Sequence, residues 1–342
     1  MRMRLPAEWE EQGFVQLTWP HADTAWYELP KVLDCYVNVA RAIVRYEPLL
    51  IVCRNTAEAR ADMAARGWNP DGLPVRLVEA PLDDTWARDH GAISVFGTQG
   101  EKCILDFVFN GWGLKFGAAQ DNQITRTIYN KGAFSPEVQY VDMRPFVLEG
   151  GSIDTDGAGT LMATSECLLS LNRNEQMSRE EIEAHLGKAF GLKRILWLDH
   201  GTIQGDDTDS HVDILARFCD RETIAYTACD NPADENYASL KAMEEQLRTF
   251  RTLEGKPYRL IPLPLPEPLY LEDYRLPASY ANFLILNGAV LLPGAASPLD
   301  GLAAGQLRKA FPGRKVEIID CRALLSGHGG LHCITMNYPK GW

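Results

Sequence analysis

Five short aliphatic runs begin at Val75, Val138, Arg194, Tyr258 and Val316, 56 to 64 residues apart, each behind a helical pattern. A recurrence of about 60 residues marks a chain built from copies of one small α/β unit, since such a unit cannot bury its apolar face alone. The clearest copy opens at Ser178-Arg-Glu-Glu181, a capping-box pattern, and carries Ile182, Leu186, Ala189 and Phe190 on one side before Arg194-Ile-Leu-Trp-Leu198. Tyr237, Leu240, Met243, Leu247 and Phe250 precede Tyr258-Arg-Leu-Ile-Pro262 in the same way, and Gln306 to Phe311 precedes Val316-Glu-Ile-Ile319. Earlier copies are Thr56 to Arg66 before Val75, and Asn122 to Asn130 before Val138. A helix from Val32 to Tyr46 with Leu49-Leu-Ile-Val-Cys53 falls outside the period, either as an N-terminal elaboration or as part of a distorted first unit. Leu260 to Leu269, rich in proline but apolar, reads as a strand followed by an extended loop packed on the body. Five such units can close around an axis and bury their strand edges. An ordinary doubly wound sheet is the alternative. With no linker or low-complexity stretch, residues 1–342 read as a single α/β domain.

The chain is 46% hydrophobic and 23% charged, enough for a sizeable core. Its net charge of −12 argues against nucleic acid and against an anionic membrane surface, both of which need basic residues. A cationic ligand is the electrostatic complement. No run of apolar residues is long enough to span a bilayer, and the first residues lack the apolar stretch of a signal peptide, so a soluble cytosolic protein is expected. The eight cysteines form no CxxC pair and read as reduced thiols, most of them buried filler.

Polar clusters follow four of the five runs. Asp89 ends the stretch Asp83-Asp-Thr-Trp-Ala-Arg-Asp89, and Glu149-Gly-Gly-Ser152 follows the second run. His211 lies within Asp206-Asp-Thr-Asp-Ser-His-Val-Asp213, and Cys333 closes Gly327-His-Gly-Gly-Leu-His-Cys333. If the units are related by rotation, these loops emerge at one end of the axis and their side chains converge. The assembled groups would be a thiol, imidazoles and several carboxylates, the layout of nucleophilic catalysis. Each also has a plain structural reading: a cysteine is usually filler, a lone histidine a loop residue, Glu149 a turn cap and Arg88 a partner for a carboxylate. Cys333 stands apart because glycines at 327, 329 and 330 permit close backbone approach to a ligand. His211 stands apart because Asp207, Asp209 and Asp213 crowd it, and such carboxylates repel unless they meet a cation. A guanidinium suits this set, being planar, cationic and forked for bidentate contact with carboxylates. Nearby carboxylates raise a thiol's pKa, and a bound cation reverses that penalty, so the nucleophile would be activated by its substrate and by His211.

Five motifs carry a resemblance: Trp86-Ala-Arg-Asp89, Glu149-Gly-Gly151, Asp207-Thr-Asp-Ser-His-Val-Asp213, Ser279-Tyr-Ala-Asn282 and Gly330-Leu-His-Cys-Ile-Thr335. Together they resemble the bacterial-type peptidylarginine deiminase family of guanidino-group-modifying enzymes, and within it the agmatine deiminases, from Trp19 to the C-terminus. The resemblance implies a five-bladed α/β propeller (the pentein fold) that hydrolyses agmatine to N-carbamoylputrescine and ammonia, in the conversion of arginine to putrescine, with no cofactor and no metal. It implies Cys333 as nucleophile and His211 as general acid and base. Glu149 would orient them or hold the guanidinium, Asp89 and Asp213 would clamp its nitrogens, and Trp86 would cover the substrate chain. Asp207 and Asn282 would be substrate or loop contacts, the intermediate a thiouronium on Cys333, and the assembly a homodimer or larger. His90-Gly-Ala92, Gly329-Gly-Leu-His332 and Met336-Asn-Tyr338 depart from the family's usual residues beside the motifs. Rival readings are a deiminase of free arginine, of a guanidino acid or of peptidyl-arginine; a metal site of His211, Asp213, His332 and Cys333; and a non-catalytic polyamine binder.

Overall fold

The computed structural model describes residues 3–342; Met1 and Arg2, which the N-terminal reading also used, lie outside the described residues. The fold is mixed α/β. Four three-stranded sheets share one pattern, in which a short first strand pairs antiparallel with a middle strand and the middle strand pairs parallel with an outer one. The outer strands are Val138–Val147, Arg194–Leu198, Arg259–Pro264 and Lys315–Asp320. A fifth sheet has four strands and joins the two ends of the chain: Thr335–Pro339 pairs antiparallel with Gln12–Thr18, which is followed in parallel by Leu49–Cys53 and then Val75–Glu79, while Tyr270–Leu271 and Tyr274–Arg275 form a separate two-stranded hairpin. All five runs that carry the sequence period are thus outermost strands. The off-period segment Leu49–Cys53 belongs to a distorted first unit, as an inserted strand buried along its whole length.

Local chemistry explains the elements. The helix Arg179–Phe190 starts with a complete capping box, Ser178 Oγ accepting from Glu181 N at 3.3 Å and Glu181 Oε2 from Ser178 N at 2.8 Å. It ends on Gly191 at φ 69°, a left-handed position that suits glycine. Arg259–Pro264 tolerates Pro262 and Pro264 because it is the outermost strand of its sheet and has an unpaired edge.

The helices pack so that five apolar clusters each draw on two sheets, a sixth and small one around Leu276 and Leu325 lying apart. Leu105 and Phe107 of one sheet meet Ile153, Leu161 and Ala163 of the next beneath Ile182, Leu186 and Phe190. Met162 and Leu198 meet Ile224 and Tyr226, and Ile261 and Leu263 meet Val290 and Leu292. Leu284 and Leu291 then meet Val15, Leu17 and Ile51, while Leu50 and Val52 meet Ile104 and Val138. Among the described residues no helix is long and apolar enough to cross a membrane.

Candidate active site

Cys333 lies on the loop that enters the strand Thr335–Pro339, where a neighbouring loop braces it. Asn282 Oδ1 accepts from His332 N at 2.9 Å and sits 3.4 Å from Cys333 N, and Asn282 Nδ2 donates to the Cys333 sulfur at 3.2 Å. The glycines ahead of the cysteine are needed because a Cβ on Gly330 would lie 2.4 Å from Asn282 Oδ1, and one on Gly329 would lie 2.2 Å from the Trp86 ring.

Asp89, on the short helix Ala87–His90, has both oxygens engaged: Oδ1 accepts from Gly151 N at 3.0 Å and Oδ2 from Trp112 Nε1 at 2.9 Å. Asp213 accepts from His332 Nδ1 at 2.8 Å through Oδ2, which is also 3.7 Å from the Cys333 sulfur. Its Oδ1 has no protein partner, and neither has either ring nitrogen of His211, although both residues are fully buried. Buried polar atoms without hydrogen bonds are costly, and the His211 ring instead lies among charged and polarisable groups, with Glu149 and Cys167 within 4.8 Å. His211 Nδ1 is 3.6 Å from Asp89 Oδ1. A Cβ on Gly151 would come within 2.7 Å of His211 Nδ1 and 2.8 Å of Asp89 Oδ1, so only glycine lets this backbone pass. Gly151→Ala is therefore expected to cut turnover by about 100-fold or more through displacement of these groups, checked by steady-state kinetics on folded protein.

Glu149 is bound from the other side. Both its oxygens accept from Arg173 Nε at 3.0 Å, and Arg173 continues to Asp209 Oδ2 at 2.6 Å and Thr208 O at 2.9 Å. Lys115 completes the chain, 2.6 Å from Asp209 Oδ1. Arg88, expected to pair with a carboxylate, approaches Glu8 at 4.0 Å and also donates to Asn337.

A cavity of about 210 Å³ opens above Cys333, walled by Trp26, Trp86, Trp112 and Phe116, with Asp84, Asp89 and Asp207 among its lining residues and no lysine or arginine. Of the residues singled out in the sequence, Trp86, Asp89, Asp207 and Cys333 line this cavity, while Glu149, His211, Asp213 and Asn282 do not. Asp213 and Asn282 instead touch the Cys333 sulfur from below, and Asp89 and His211 approach one another beside Gly151.

The electrostatics follow from burial. Burial, then Asp213 and Asp89, pushes the Cys333 thiol well above its ordinary pKa. Burial lifts Asp84, Asp89 and Asp207 to about 6. Burial disfavours the His211 imidazolium, but Asp89, Cys167 and Glu149 outweigh it and raise this group well above the usual histidine value. Asp213 is held low, because His332 overcomes the cost of burial. These shifts favour the neutral thiol at Cys333 and the protonated imidazole at His211.

As for a metal, both nitrogens of His332 face carboxylates, Nδ1 toward Asp213 at 2.8 Å and Nε2 toward Glu8 at 2.9 Å, which leaves none for the ligand set considered from the sequence. Among the described residues the grouping with metal-ligand spacing is a different one, Glu149, Cys167 and His211 within 4.8 Å of one another. Its carboxylate is already occupied by the Arg173 cation, which disfavours a metal ion there. Sequence reasoning missed Arg173, Glu8 and Trp112. The Trp112 position had a local signal in its flanking glycines 111 and 113, whereas nothing near Arg173 or Glu8 in the chain marks them.

Five mixed sheets whose loops bring a cysteine, a histidine and paired aspartates together at the base of an acidic, aromatic-walled cavity define a guanidino-group hydrolase. The chain belongs to the Porphyromonas-type peptidyl-arginine deiminase family, whose model matches residues 4–339. It is 36% identical to the agmatine deiminase of Stutzerimonas stutzeri, over 98% of this chain and 95% of that protein. A Porphyromonas gingivalis structure, provisionally named an arginine deiminase, is 48% identical with a TM-score of 0.93 and covers 99% of both chains. The C. jejuni agmatine deiminase, in a variant with substrate bound, is 36% identical with a TM-score of 0.90, covering 99% of this chain and 97% of that one.

Proposed function

We propose that this enzyme deiminates agmatine, giving N-carbamoylputrescine and ammonia through a covalent adduct on Cys333, as a step from arginine toward putrescine. The observation that carries the choice of substrate is the charge of the cavity wall: three aspartates and no lysine or arginine. Free arginine would bring a carboxylate to a wall whose three aspartates repel it, while the nearby Lys115, which donates to Asp207 O at 2.6 Å, is already engaged by Asp209. Agmatine instead brings an ammonium, for which Asp84 and Asp207 are complementary, and an apolar chain that can lie along the wall formed by Trp26 and Trp86, which pack against one another with ring centroids 5.2 Å apart. The five apolar clusters that join neighbouring sheets, the last returning to the first, support a five-bladed propeller as the arrangement that gathers the loops at one end.

In this reading the guanidinium lies between Asp89 and Asp213, taking the free Oδ1 of the latter. Its positive charge offsets the two carboxylates that hold the thiol protonated, and Cys333 gives its proton to solvent and becomes the thiolate, while His211 keeps its own proton. The sulfur attacks the guanidinium carbon, forming the S–C bond as one C–N π pair moves to nitrogen. His211 gives its proton to a terminal NH2, and the C–N bond breaks to release ammonia. A water then loses a proton to His211 and attacks the thiouronium carbon, and collapse breaks the S–C bond to free the thiolate as the new hydroxyl gives its proton to solvent and becomes the ureido carbonyl of the product. Glu149, locked by Arg173, is a positioning group for His211. Asn282 steadies the sulfur.

The raised carboxylates make the pH dependence specific. Asp84, Asp89 and Asp207 carry charge only above about 6, so they neutralise as the pH falls through that value. The kcat/KM for agmatine is expected to fall about tenfold or more between about pH 7.5 and about pH 5, as read from initial rates in buffers of constant ionic strength. The substrate itself is tested by ammonia release from agmatine, arginine, a guanidino acid and a peptidyl-arginine in parallel. Turnover dominated by agmatine is the expected result, and dominance by arginine would overturn the reading of the cavity wall.

A further inference from the structure

His332, next to the nucleophile in sequence, faces away from the cavity into a second set of buried charges. Its Nδ1 is 2.8 Å from Asp213 Oδ2 and its Nε2 is 2.9 Å from Glu8 Oε2, a separation of 324 residues along the chain in the second contact. Both ring nitrogens meet carboxylate oxygens, which a ring with two N–H donors satisfies. Glu8 is fixed in turn: Oε1 accepts from Ile285 N at 2.8 Å and Oε2 from an Arg217 terminal nitrogen at 2.7 Å, while Arg217 Nε donates to Asp154 Oδ2 at 2.9 Å. Arg88 adds a second cation 4.0 Å from Glu8.

Two features of this chain are unexplained by fold stability alone. Asp213 is fully buried, yet one of its oxygens is left without any protein partner while the other is held by His332. That same held oxygen is 3.7 Å from the Cys333 sulfur, where an unscreened carboxylate would oppose thiolate formation. We propose that Glu8 and His332 form a positioning relay that pins one oxygen of Asp213, aims the other at the guanidinium and screens the carboxylate from the nucleophile. Neither Glu8 nor His332 touches substrate; they act through Asp213. The relay rests on the deimination reading above, since it needs a planar cation between Asp89 and Asp213. It also gives the N-terminal segment, which precedes the first strand, a part in the chemistry at the C-terminal loop.

The test compares alkylation of Cys333 by chloroacetamidine, a planar cation, with alkylation by its neutral analogue chloroacetamide. In the unaltered enzyme the cation is expected to react about 100-fold faster, because only it engages the paired aspartates. In His332→Ala that preference is expected to shrink about tenfold, and His332→Asn, whose amide N–H can still reach Asp213, is expected to regain most of it. A structural role would lower the reacting fraction of protein without changing the ratio of the two rates. Should His332→Ala fail to fold, Glu8→Gln, which keeps the shape and removes the distal charge, is read by the same ratio. A preference in the folded variant that stays within fivefold of the unaltered enzyme overturns the relay and leaves the deiminase reading standing. Absence of any preference in the unaltered enzyme overturns the deiminase reading and the relay together.

Discussion

Cys333→Ala is expected to lower ammonia release from agmatine by about 10⁴-fold or more while the protein stays folded and still binds the substrate. The size follows from the absence of a substitute. All eight cysteines are buried, but among the residues lining the cavity Cys333 is the cysteine. Cys167, near His211 and Glu149, lies outside that lining, and burial raises its thiol pKa. Alanine adds no bulk at the cavity floor and leaves Asp89 and Asp213 in place. Agmatine affinity, measured by calorimetry on the variant, is therefore expected to stay within about tenfold of the substrate's KM. Equal loss of binding and turnover would mean that the thiol acts only by shaping the site.

Arg173→Met is expected to destabilise the protein by about 3–5 kcal/mol and to abolish most activity with it. The Arg173 and Glu149 side chains are both 0% exposed, so removing the cation leaves a carboxylate buried without its counter-charge. The contrast is Lys340 with Glu11, a pair about two-thirds exposed, whose loss is expected to cost about 1 kcal/mol or less. Urea unfolding monitored by circular dichroism reads both. Adding Glu149→Leu to Arg173→Met is expected to restore about half or more of the lost stability, because a well-packed apolar pair replaces a broken ionic one. Activity is not expected to return, since His211 has lost its neighbouring carboxylate. Recovery of turnover in that double variant would remove Glu149 from the mechanism.

These two residues also show where the sequence is readable. Cys333 stands in a glycine-rich stretch whose geometry is local, and the period of the outer strands places it with Asp89, Glu149 and His211. The outer strands are visible because each follows a helix with its own apolar face; the strand Arg194–Leu198 and the cap at Ser178 are legible residue by residue. The short first strands, such as Leu284–Ile285 and Ile153–Thr155, have too few residues to show a pattern of two. Closure of the first sheet by Thr335–Pro339 depends on pairing the two chain ends, which no local window contains. Arg173 lies 24 residues from Glu149 and Glu8 lies 324 from His332, so their roles appear only when the fold brings them together. Substrate class was legible as a cation from charge and carboxylate clustering. Agmatine in particular came from the motif resemblance, and the lysine- and arginine-free cavity wall adds the physical reason.

The most direct measurement is intact-protein mass spectrometry after acid quench during agmatine turnover, followed by peptide mapping. A mass increase equal to agmatine less ammonia, carried by the peptide containing Cys333 and absent in Cys333→Ala, is the predicted result. Turnover with that peptide unmodified at every quench time, or the adduct on any other residue, would contradict it.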